Sequence, residues 1–150
     1  MSLSLNKIKN NKNVNKTFYL EENIMKNVKF YICEKCGNIV QKIEDSGVSV
    51  VCCGQKMTYL EPGVIEASRE KHIPVVKTEG NTVQVIVGSV LHPMGDDHHI
   101  AWVYLETDKG GQMKHLDVNS SPEITFTLGD EKPIAVYAYC NLHGLWKADV

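Results

Sequence analysis

Two short cysteine clusters confine what the first part of this chain can become: Cys33-Glu34-Lys35-Cys36-Gly37 and, with fifteen residues between Cys36 and Cys52, the adjacent pair Cys52-Cys53. A Cys-x-x-Cys knuckle closed by glycine turns two sulfurs to the same side, and a second pair completes a tetrahedron of four. A segment of under about 40 residues seldom folds without such a staple. Zinc is the ordinary structural occupant of four sulfurs. Directly adjacent Cys52 and Cys53 depart from zinc-ribbon spacing, where two residues separate the pair, and this strains the tetrahedron. The chain has five cysteines, an odd number, and no secretory apolar region precedes them, so a disulfide framework is a poor account. Metal binding in a reducing cytoplasm fits better.

The fifth cysteine stands in Cys140-Asn141-Leu142-His143-Gly144, after the apolar run Ile134 to Tyr139. A thiol and an imidazole three residues apart can grip one metal ion, and Gly144 allows the tight turn that aims both inward. Two ligands are too few. His72, His92 and His98 each fall near a strand end or in a loop, where a rigid scaffold presents functional groups. Together they make a site of four histidines and one cysteine, with a sixth position open. Nitrogen-rich ligation with one thiolate points to redox-active iron or copper more than to structural zinc, which closes tetrahedrally. Cys140 and His143 as nucleophile and base is the weaker reading, since it leaves the other histidines unexplained.

The formal charge of −2 at pH 7 supplies no basic surface for nucleic acid, which is held by neutralising phosphates. No apolar run approaches the roughly 20 residues that span a bilayer, so membrane insertion is not expected. Residues 1–24 are rich in Asn and Lys and poor in large apolar groups, which predicts a disordered leader. Glu21-Glu22-Asn23-Ile24-Met25 also reads as a translated ribosome-binding site ahead of a start at Met25, the other reading being a genuine flexible tail. Two domains are expected, 25–61 around the first four cysteines and 62–150 beyond the Glu61-Pro62-Gly63 turn.

The second of these reads as short strands with hardly any helical periodicity. A hairpin is expected from His72 to Lys77, a Glu79-Gly80-Asn81 turn, and Thr82 to Val87, where Val83, Val85 and Val87 alternate strictly. Further strands are expected at His99 to Glu106, Met113 to Val118, Glu123 to Leu128, Ile134 to Tyr139 and His143 to Ala148. Such spacing favours an antiparallel sandwich of immunoglobulin-like type. If His98 and His99 lie on a strand they face opposite ways, so only one can easily be a ligand. His115 reads as a surface residue.

With these residues placed, the chain from about Met25 onward resembles desulfoferrodoxin, the two-iron form of superoxide reductase. The carriers are Cys33-x-x-Cys36 with Cys52-Cys53, Glu70-Lys71-His72-Ile73-Pro74, His92-Pro93-Met94 with His98, and Cys140-Asn141-Leu142-His143-Gly144. His99, where the family commonly has an aromatic residue, and the acidic Gly95-Asp96-Asp97 loop depart from the pattern. The resemblance implies a mainly β protein, a desulforedoxin-like domain followed by the sandwich, with two irons per chain. One is held by Cys33, Cys36, Cys52 and Cys53. The other is held by His72, His92, His98 and His143 with Cys140 as axial thiolate. It further implies that Lys71 is the cation near the open site and Glu70 the carboxylate that can close it after oxidation. The implied reaction is one-electron reduction of superoxide to hydrogen peroxide, with a rubredoxin-like electron donor and a homodimeric assembly. The rival class is a non-catalytic electron carrier or a zinc-stapled binding module.

Overall fold

A computed structural model describes residues 28–150. The leader expected at residues 1–24 lies outside the described residues. The first unit is a sheet of three short strands in the order β2-β1-β5, with β1 Lys29–Ile32, β2 Ile39–Lys42 and β5 Thr58–Tyr59, beside a hairpin of β3 Val51–Cys52 and β4 Gln55–Lys56. So small a sheet has little apolar surface of its own to bury, and it draws its core from the rest of the chain. Phe30 is buried among Trp102, Tyr104 and Tyr137, with ring centroids 5.0, 5.5 and 5.9 Å away. Gln41 Nε2 donates to the Tyr104 hydroxyl at 3.1 Å across the same junction. Burying one such aromatic ring contributes roughly 1.5–3 kcal/mol.

The second unit is a two-sheet antiparallel sandwich. One sheet has the order β10-β7-β6, from β6 Pro74–Glu79, β7 Thr82–Val87 and β10 Glu123–Thr127. The other has the order β12-β11-β8-β9, from β8 Ile100–Thr107, β9 Gly110–His115, β11 Pro133–Cys140 and β12 Gly144–Asp149. The alternation at Val83, Val85 and Val87 does what it promised, with all three valines buried between the sheets against Ile100, Val103, Leu105, Val136 and Ala138. On β11 the pleat sends Val136, Ala138 and Cys140 into this core and Ala135 and Tyr137 to the outer face under Phe30. Cys140 is thus a core residue by position and a ligand candidate by chemistry.

Three sequence expectations are corrected. His72 does not begin a strand. It closes a one-turn helix, α1 Arg69–His72, and Ile73 is extended because Pro74 excludes the helical region for the residue before it. His98 and His99 precede β8 and do not lie on a strand, so the argument from opposite faces does not apply to them. The strand expected at Met113 to Val118 runs instead from Gly110 to His115, because both glycines pair with Glu106 and Thr107 across a two-residue turn.

Candidate metal centres

The four sulfurs of the first cluster are brought together by two turns. In the knuckle, Gly37 N donates to Cys33 O at 2.8 Å, and the amides of Cys36 and Lys35 hold the Cys33 thiol down to about 7. At the second turn Cys53 takes φ +51°, the one positive φ at a non-glycine residue among those described. The adjacency of the two cysteines thus shows as backbone strain at Cys53, at a cost of order 1–3 kcal/mol. Cys36 Sγ lies 3.6 Å from Cys52 Sγ, and Cys52 Sγ lies 4.0 Å from Cys53 Sγ. Sulfurs about 2.3 Å from a tetrahedral ion stand about 3.8 Å apart, so these spacings fit one. Crowding by the Cys36 and Cys33 sulfurs pushes the Cys53 thiol up to about 12. Four thiols this close cannot all ionise unless a cation joins them.

The second cluster is assembled from four separate segments: α1 supplies His72, the loops after β7 supply His92 and His98, the end of β11 supplies Cys140, and the turn before β12 supplies His143. The four imidazoles form a square. Going round it, centroids are 4.7 Å apart from His72 to His92, 4.6 Å from His92 to His98, 4.9 Å from His98 to His143 and 4.8 Å from His143 to His72. Neighbouring planes are 77–89° apart, and the His72–His98 diagonal is 6.3 Å. Cys140 Sγ stands 3.6 Å from His143 Nδ1.

Hydrogen bonds fix which nitrogens face inward. His72 Nδ1 donates to Ser68 O at 2.7 Å and His92 Nδ1 to Pro93 O at 2.6 Å, so each turns an unprotonated Nε2 to the centre. Those atoms are 3.2 Å apart, and His72 Nε2 is 3.0 Å from His143 Nδ1. Nitrogens about 2.1 Å from one ion and at right angles stand about 3.0 Å apart. His98 Nε2 is buried without a hydrogen-bond partner among the described residues, as an atom reserved for an ion would be. Burial lowers His92 to about 4 and also lowers His72 and His98, keeping the imidazoles neutral and ready to ligate. Burial pushes the Cys140 thiol up against the opposing pull of the Leu142 and His143 amides. Five donors of this kind fit a redox metal with one position left open.

Lys71 and Glu70 are exposed on α1 beside the square. Burial is the main reason His72 and His98 are lowered, and the Lys71 charge adds a small push at both ends of the diagonal. Glu70 is outside the cluster of candidate ligands, and its carboxyl is lowered by hydrogen bonds from its own amide and the Ser68 hydroxyl. His115 is exposed on β9, as expected.

Gly88 is a functional residue that the sequence reading passed over. Its φ is +87°, and an added Cβ would lie 2.3 Å from Val90 O and 2.6 Å from Lys71 O. Here the turn that leads to His92 presses on α1, and Val90 N donates to Glu70 O at 3.0 Å. A lone glycine just after an alternating strand is the one signal the sequence offers. Gly88→Ala is expected to cost about 2–4 kcal/mol, read by thermal unfolding, and to lower iron occupancy of the histidine site by moving His72.

The comparisons agree with this geometry. The family described as Desulfoferrodoxin matches residues 64–149, and the one described as Desulfoferrodoxin, N-terminal domain, matches residues 25–60. The chain is 41% identical over 118 residues to a desulfoferrodoxin homolog of Archaeoglobus fulgidus, covering 79% of this chain and 94% of that one. It is likewise 41% identical over 119 residues to the desulfoferrodoxin of Nitratidesulfovibrio vulgaris, with the same coverage. The crystal structure of the superoxide reductase from Treponema pallidum superposes with a TM-score of 0.71 at 40% identity, covering 83% of this chain and all of that one. With a four-sulfur cluster and a four-imidazole, one-thiol cluster on the fold those matches describe, the chain belongs to the desulfoferrodoxin family.

Proposed function

We propose that this chain is a superoxide reductase that carries out O2•− + e− + 2H+ → H2O2 at the site of His72, His92, His98, His143 and Cys140. The square of four imidazoles with a single thiol is the observation that carries this reading. Relatives that bear the name superoxide reductase include that of Pyrococcus horikoshii, 36% identical over 99 residues. Iron held by these five residues would supply the electron and bind the anion.

The chain's own groups do the rest. The imidazole ligands would bring no negative charge to repel an anion, and Cys140, buried in the core, would supply a thiolate donor to the metal they hold. Lys71 adds a second positive charge at the mouth. Glu70 is held by its own amide and Ser68, and the role the family resemblance gives it is that of a carboxylate that would close the open side of the oxidised site. The four cysteines of the first unit hold the second iron, with domains 25–61 and 62–150 as the working division and residues 1–24 dispensable. A rubredoxin-like donor, a homodimer and a cytoplasmic setting complete the reading, supported by the family resemblance and by thiolate sites that need reducing surroundings.

Lys71→Ala is expected to slow the bimolecular reaction with superoxide by roughly tenfold at low salt, and the wild-type rate should fall as salt screens the site. Glu70→Ala should change the ferric spectrum and barely alter the encounter rate. Pulse-radiolysis rates across a salt series test both, and a rate unchanged in Lys71→Ala and insensitive to salt in the wild type would remove Lys71 from the mechanism.

A further inference from the structure

Three of the four imidazoles have an evident anchor. The rings of His72 and His92 are fixed by backbone carbonyls, and His143 sits in the tight turn between β11 and β12, its carbonyl accepting from Trp146 Nε1 at 3.0 Å. His98 differs. It lies in an irregular loop outside any strand, and its Nε2 has no partner among the described residues. Something else must keep that loop from turning the ring away.

The peptide groups on either side of His98 are both bound by one residue. Asn141 Nδ2 donates to Asp97 O at 2.9 Å, and Asn141 Oδ1 accepts from His99 N at 2.8 Å. A third bond runs from the Asn141 amide to His99 O at 3.1 Å. The His99 ring, which is not a ligand candidate by position, closes the same loop by donating from Nδ1 to Gly95 O at 2.8 Å. Asn141 directly follows Cys140, so the bracket ties the loop of one ligand candidate to the strand end that carries another.

We infer that Asn141 is the positioning residue for His98, its carboxamide clamping the two peptide groups that flank the ligand. Only a carboxamide side chain offers the donor and the acceptor together at this reach. Asp keeps the acceptor for His99 N and loses the donor to Asp97 O, while Ala loses both. This rests on the five-donor cluster being the iron site, and its test does not depend on what that iron reacts with.

The iron-loaded full chain is reduced and challenged with a bipyridine chelator, and release is followed separately from the histidine site and from the four-cysteine site in the same molecules. Asn141→Ala should lose iron from the histidine site about 10–100 times faster than the wild type, with the four-cysteine site unchanged, in line with the loss of a ligand-orienting partner. Its ferric histidine site should also show an altered electron paramagnetic resonance signal. Asn141→Asp should fall between the two and keeps the question open to test if the alanine variant folds poorly. Wild-type release and an unchanged ferric signal in Asn141→Ala would overturn the inference. So would equal acceleration at both sites in both variants, which would mark a general loss of structure.

Discussion

Cys140→Ser abolishes superoxide reduction and leaves the four-sulfur centre filled: that is the expected result of removing the one thiol that the histidine square contains. The substitution is small, but a serine hydroxyl does not ionise in place of a thiol, and Cys140 is fully buried in the sandwich core. Its burial already pushes the thiol toward its neutral form, so the ionised ligand depends on the metal and on the Leu142 and His143 amides. The loss of activity should exceed the roughly 10–100-fold that accompanies removal of a partner outside the ligand set. The four-sulfur centre shares no donor with the histidine site, so its visible absorption should survive. Loss of both irons together would contradict independent sites.

Cys33→Ser should do the reverse. Cys33 is fully buried, and its sulfur receives the amides of Lys35 and Cys36, so it organises the knuckle as well as offering a donor. Replacing it should empty the first centre and open the knuckle and the Cys52-Cys53 turn to hydrogen exchange, because short strands of two to four residues have little else to close them. Phe30 remains packed against Trp102, Tyr104 and Tyr137, so β1 should stay docked on the sandwich while the turns beyond it loosen. Superoxide reduction driven by an artificial donor should persist. If it vanished while the histidine site kept its iron, the first centre would be an obligatory relay.

Much of this molecule can be read from its residues, and the exceptions have physical causes. The β7 strand is plain because Val83, Val85 and Val87 face one core while their neighbours face outward. In β8 the same rule is hidden. Trp102 and Tyr104 are buried under the first unit and Val103 and Leu105 under the other sheet, so the strand is apolar on both faces. A register shift opposite Tyr139 and Cys140 adds Ala101 as an extra residue and resets the pleat, so that Ile100 returns to the core beside the site. The one-turn helix holding His72 is too short to leave a periodic pattern. The ligand candidates were legible because thiols and imidazoles announce their chemistry by type and spacing. Gly88 and Asn141 were not assigned roles, because what they do depends on backbone groups distant in sequence.

The most direct test of the central claim is product stoichiometry. Fully reduced protein is exposed to a pulse of superoxide, and hydrogen peroxide and dioxygen are both measured against superoxide consumed. A reductase at the five-donor site forms one hydrogen peroxide for each superoxide and no dioxygen, with one electron leaving the histidine-site iron each time. Dioxygen released in equal amount with peroxide would show dismutation instead, and it would contradict the account.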